Sequence, residues 1–167
     1  LKQEHIHISY QRFAEAAALP PDEARLLEQA LAATATAYSP YSRFKVGCAV
    51  LLENGEIVLG SNQENRSFPS GLCAERTALF HIGAAGKAHL IRKIAIRATS
   101  EHLAVDEPVF PCGGCRQVMV QYEELAGQPL LVLAQGATGE ILRLEGIKST
   151  LMPFSFDFDF YKPRSRG

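Results

Sequence analysis

The first sustained apolar pattern in the chain has a helical period. Leu26, Leu27, Ala30, Leu31 and Ala35 fall on one face, and the acidic pair Asp22-Glu23 opens the run where a helix dipole favours negative charge. Ser39-Pro40 disfavours helical continuation, so the helix is predicted to stop near Tyr38. Residues Phe44–Leu52 and Glu56–Gly60 read as two strands. They are joined at Glu53-Asn54-Gly55, and Asn-Gly between apolar runs is a strong hairpin signal. Cys73–Ala85 is an Ala- and Leu-rich helix that ends around Gly83 and Gly86. Ile91–Ala98 is a third strand, and a helix is predicted from about Cys115 to Leu125. Leu130–Ala134 and Ile141–Leu144 complete the set, separated by Gly136 and Gly139. Strands interleaved with helices predict a layered α/β domain.

The two ends of the chain follow other patterns. Residues 1–21 contain Leu19-Pro20-Pro21 and read as an arm before a single domain spanning 22–167. Near the other end Phe154, Phe156, Phe158 and Phe160 alternate with Ser155, Asp157 and Asp159. That period of two fits either an amphipathic strand covering its own domain or a segment packing on another subunit.

Composition narrows the possible functions. The chain has 167 residues, 47% of them hydrophobic, which is enough for one domain with a proper core. No stretch approaches the roughly 18 apolar residues of a membrane span, and the first residues lack the apolar core of a signal peptide, so a cytoplasmic location is expected. With 17 basic and 18 acidic residues the net charge is −1, and no basic cluster offers a path for a nucleic acid strand. A small neutral ligand fits better.

The candidate chemistry lies in two short segments, Cys73-Ala74-Glu75-Arg76 and Pro111-Cys112-Gly113-Gly114-Cys115-Arg116. Each opens a predicted helix, and helix N-termini favour thiolates. Three thiolates converging at one point require a cation, and soft sulfur donors select zinc. Three protein ligands leave one tetrahedral position for water, whereas a fourth would close the site. The spare cysteine, Cys48, lies mid-strand in an apolar run and reads as a core residue. Glu75 sits two residues after Cys73, placed for general acid/base work. A cluster of Zn2+ and three thiolates carries net negative charge, which donors to sulfur offset; Arg76 and Arg116 are the candidates. The five histidines, His5, His7, His81, His89 and His102, have no ligand spacing relative to the cysteines.

Together these segments resemble the small, single-domain cytidine deaminases in their all-cysteine form. The resemblance extends to Ala37-Tyr38-Ser39-Pro40-Tyr41-Ser42-Arg43-Phe44-Lys45-Val46-Gly47 and to Gly60-Ser61-Asn62-Gln63-Glu64-Asn65, and covers roughly Asp22 to Leu144. It implies a three-layer α/β/α fold around a mixed five-stranded sheet, and hydrolytic deamination of cytidine and 2′-deoxycytidine in pyrimidine salvage. It implies one zinc on Cys73, Cys112 and Cys115, with Glu75 catalytic. Asn62 and Glu64 would hold the ribose hydroxyls, Phe44 would pack on the pyrimidine, and the Ala74 backbone would read its edge. The same resemblance implies a homotetramer in which Phe156, matched through Pro153-Phe154-Ser155-Phe156, reaches a neighbouring subunit's substrate. Two departures stand out: the Glu101–Pro108 segment looks like an insertion, and the arm before Asp22 is long. Two alternatives remain open. One is a deaminase of another substrate, such as a base in RNA or DNA, a nucleotide or a nucleoside antibiotic. The other is a structural zinc module, for which Glu75 would have no purpose.

Overall fold

The computed structural model describes residues 1–156. It contains one mixed sheet whose six strands are β1 (Gln11–Phe13), β2 (Phe44–Leu52), β3 (Ile57–Ser61), β4 (Ile91–Ser100), β5 (Leu131–Gln135) and β6 (Ile141–Glu145). Their order is β1-β6-β5-β4-β2-β3. Only β4 and β5 run parallel, and every other neighbouring pair is antiparallel. The helices are α1 (Pro21–Ala33), α2 (Ala74–Ala84) and α3 (Gly113–Ala126).

Strand alternation separates two cores. Cys48, Val50, Ile94, Ile96 and Val132 point to the face covered by α2 and α3, while Ala49, Ala95, Leu131 and Leu133 meet Leu26, Leu27 and Ala30 of α1. The result is the expected three-layer α/β/α arrangement. Two glycines make the layers close. A Cβ at Gly47 would overlap the Ala30 carbonyl oxygen of α1, and one at Gly60 would overlap the Ala74 carbonyl oxygen of α2. The sheet therefore touches the first turn of α2 at backbone distance, which fixes where that turn lies.

The sheet has six strands rather than the expected five. The extra one comes from the arm, whose Gln11–Phe13 pair antiparallel with Ile141–Arg143. The first helix is shorter than its pattern predicts, because the backbone tightens into a 3-10 turn over Thr34–Thr36 before reaching Tyr38. In the tail, Phe154 and Phe156 lie in no strand. Phe158 and Phe160 lie outside the described residues.

Candidate active site

The three sequence-predicted cysteines converge. Cys73 is the N-cap of α2 and Cys112 the N-cap of α3, with Cys115 in the first turn of α3. Their sulfurs are 3.8 Å apart for Cys73–Cys112 and 3.6 Å for Cys112–Cys115, and all three lie within 4.8 Å of one another. This is the one such cluster found among the described residues, and no histidine belongs to it. Cys48 is fully buried in the core, where burial drives its thiol well above the ordinary range.

The donor set suits zinc. Three sulfurs meet at two helix N-termini, where backbone dipoles favour negative charge. Without a cation they compete for protons. Hydrogen bonding from Cys115, with help from Arg76, pushes Cys73 down to about 5, while Cys115 is pushed up in turn. A dication removes that competition by accepting all three thiolates. The Arg76 guanidinium stays close, its terminal nitrogen donating to Cys73 Sγ at 3.5 Å.

Glu75 is 4% exposed and lines the cavity together with Cys73 and Cys112. Burial raises its carboxyl above the ordinary range, and the adjacent Cys73 charge raises it further. A carboxyl in that condition takes up and releases protons more readily near neutrality than an exposed glutamate does. Ala74, also fully buried, lies between Cys73 and Glu75 at the start of α2.

The cavity, about 680 Å³, opens beside this cluster. Its apolar lining includes Phe44, Val46, Leu72, Val109 and Phe110; its polar lining includes Asn62, Glu64 and Glu75. The segment leaving β3 holds one wall in place. Asn62 donates from Nδ2 to the Phe44 carbonyl at 2.9 Å and accepts the Val46 N–H on Oδ1 at 2.8 Å. Two residues on, Glu64 Oε2 accepts the Tyr41 and Ser42 N–H groups at 2.9 and 3.3 Å. Desolvation works to raise the Glu64 carboxyl, but those bonds outweigh it and keep the group ionised. Arg43, between them, adopts a left-handed φ of 53°. Asn62 thus fixes Phe44 directly and Glu64 holds the two residues Tyr41 and Ser42 shortly before it, a double duty that the sequence pattern does not signal.

Arg116 does not share the position of Arg76. Its Nε donates to the Pro111 carbonyl at 2.8 Å and a terminal nitrogen to the Leu151 carbonyl at 3.1 Å. It pins the chain just before Cys112 instead of donating to sulfur. The neighbouring Gln117 pairs reciprocally with the Phe156 peptide, donating to its carbonyl at 2.9 Å and accepting its N–H at 3.1 Å. Phe156 is 61% exposed and is not among the residues lining its own chain's cavity. The role of Gln117 escapes sequence reading because a glutamine in an amphipathic helix carries no distinguishing period.

Comparison with known proteins places this geometry. Residues 20–126 match the family model described as the cytidine and deoxycytidylate deaminase zinc-binding region. The chain belongs to this deaminase family. A cytidine deaminase of Halalkalibacterium halodurans is 43% identical over 100 residues, which is 60% of this chain and 71% of the relative. Among solved structures, a cytidine deaminase from Burkholderia pseudomallei superposes with a TM-score of 0.68 at 38% identity, covering 79% of this chain and 97% of that one. One from Mycobacterium tuberculosis gives a TM-score of 0.62 at 33% identity over 83% and 99% of the two chains. The matched zinc-binding region contains Cys73, Cys112 and Cys115, whose sulfurs lie close enough to hold one metal ion, and the chain is an enzyme of the hydrolase class.

Proposed function

We propose that this enzyme deaminates free cytidine and 2′-deoxycytidine to uridine and 2′-deoxyuridine, consuming water and releasing ammonia, as a cytoplasmic homotetramer serving pyrimidine salvage. The observation that carries the substrate reading is the charge of the cavity. Among the described residues its lining holds the Glu64 and Glu75 carboxyls but a single cation, Arg76, already donating to Cys73. A 5′-phosphate would find no free positive partner among those residues, whereas a neutral nucleoside finds hydrogen-bonding groups and an apolar slot.

Zinc held by Cys73, Cys112 and Cys115 supplies, when bound, an acidified water as the nucleophile. Glu75 accepts a proton from the attacking water and delivers it to ring N3, then takes the remaining proton from the C4 hydroxyl so formed and passes it to the departing amine, leaving the C4 carbonyl and ammonia. The raised carboxyl described above suits both directions of that transfer. Phe44, fixed through its carbonyl by Asn62, packs on the base. Asn62 keeps a second N–H and a second lone pair, and Glu64 a second oxygen, for the ribose hydroxyls. The Ala74 backbone reads the base edge, Arg76 offsets thiolate charge, and Arg116 holds the peptide leading into Cys112. Phe156, exposed and held by its backbone, is presented to a neighbouring copy's cavity.

Incubating the purified protein with cytidine and with cytidine monophosphate, and following loss of the cytosine absorbance band, tests the reading. Turnover of the nucleoside with at least 100-fold lower kcat/KM for the nucleotide is the expected result. Preference for the nucleotide, or turnover of neither, overturns it.

A further inference from the structure

The Glu101–Pro108 segment ends four residues before Cys112, and Val109 and Phe110, which follow it directly, line the cavity. Its middle does not float over the surface. The Val105 carbonyl accepts the N–H groups of Ala137 and Thr138, at 2.6 and 3.4 Å, in the turn between β5 and β6. That turn has glycine where the segment crosses it. A Cβ at Gly136 would overlap the carbonyl oxygens of Val105 and Glu107, and one at Gly139 the carbonyl oxygen of Asp106. Beneath the turn Arg97 of β4 is 9% exposed and forms no ion pair among the described residues. Its Nε donates to the Gly136 carbonyl at 3.0 Å, and a terminal nitrogen donates to the Ala137 carbonyl. Gln135 Nε2 closes the turn on the Gly139 carbonyl at 2.8 Å.

We propose that this turn is a latch for the cavity wall: Arg97, Gly136 and Gly139 are positioning residues that act through the Val105–Glu107 backbone to set Val109 and Phe110 against the base. The stiffness of the connection supports transmission. Pro108 and Pro111 flank the two wall residues, so little backbone freedom lies between the latch and the cavity. The metal side is held separately, because Arg116 fixes the Pro111 carbonyl and Cys112 caps α3. The latch therefore governs substrate fit without governing zinc retention. A buried arginine whose bonds go to a turn, in a fold that could fill the space with an aliphatic residue, is accounted for by that task. This inference rests on the cytidine reading above, and specifies which residues shape its base pocket.

Gly136→Ala is the direct probe, since Gly136 is not in the left-handed region and the atoms nearest the added methyl belong to Val105 and Glu107. The expected result is a KM for cytidine raised about tenfold, with kcat and zinc content retained. In a Phe110→Ala background the same substitution should change KM by less than about twofold, because the wall through which it acts has gone. Arg97→Lys, which keeps the cation but loses the planar fork, carries the same prediction if Gly136→Ala fails to fold. An unchanged KM in a folded variant, an undiminished effect in the Phe110→Ala background, or loss of zinc in step with KM overturns the proposal. If the wild-type enzyme does not turn over cytidine, the functional reading fails by itself. The latch is then judged by amide exchange at Val109 and Phe110, which must accelerate in Gly136→Ala.

Discussion

At the residue scale the site is built from side chains that serve structure and chemistry together. Glu64 shows this most clearly. Its carboxylate ties the Tyr41 and Ser42 amides and faces the cavity. Glu64→Gln keeps an acceptor for those amides, so the fold should survive while KM for cytidine rises at least tenfold; steady-state kinetics with a thermal melt separate the two effects. Arg76 offers a different test. Its hydrogen bond to Cys73 stabilises a thiolate, so Arg76→Gln should release zinc to a chelator about 10- to 100-fold more readily, followed with a colorimetric zinc indicator. The cysteines and Glu75 were legible in the sequence because their spacing relative to helix starts is chemically distinctive, whereas Asn62 and Glu64, loop residues just after β3, were legible only through the family resemblance. Arg116 was legible only as a neighbour of a ligand. Its long side chain reaches in either direction, and the carbonyls of Pro111 and Leu151 that capture it belong to tertiary structure.

At the element scale, pattern and fold agree where one period dominates. Phe44–Leu52 forms β2 as predicted, since its two faces meet two different helical layers. Where the stretch is short, pattern has nothing to work with: Gln11–Phe13 is three residues long, and its pairing depends on the free edge of β6. The single π-helical turn at Ile147–Leu151 is similarly tertiary, held by Glu123, which accepts the Ile147 and Lys148 N–H groups. α3 starts two residues earlier than its apolar pattern suggests, because Gly113 and Gly114 add no side chains to that pattern while Cys112 caps the helix. The packing of α2 on β3 is directly testable. Gly60→Ala places a methyl against the first turn of the helix that carries Glu75, and should destabilise the fold by about 1–3 kcal/mol in urea unfolding.

At the scale of the whole molecule, charge pairs bind layers and ends together. Glu23 of α1, buried, is paired with Lys93 of β4 at 2.8 Å and with Arg143 of β6 at 3.0 Å, and Lys93 also pairs with Asp22 at 2.7 Å. The Lys93 hydrogen bond holds the Asp22 carboxyl below its ordinary 3.8. A carboxyl depressed in the folded state adds stability above its unfolded value and loses it as pH falls through the folded value. Asp22→Asn should therefore lower stability near neutrality and flatten its decline below about pH 4, as read from denaturant midpoints across pH. At the same scale, Gln117 gives the tail a fixed point of departure at Phe156, so Phe156→Ala should raise KM while zinc binding is unchanged. How the tail continues was not legible from its alternating phenylalanines, because such a pattern fits a strand on its own domain and one on a neighbour equally well.

The central claim is that Glu75 moves the protons at a zinc centre formed by three cysteines. Glu75→Gln, assayed with cytidine beside the wild-type enzyme and with zinc counted per chain, tests it most directly. The account predicts one zinc per chain in both proteins and a kcat lowered by about 10²- to 10⁴-fold in the variant. A variant that keeps its zinc and turns over cytidine at the wild-type rate would contradict it.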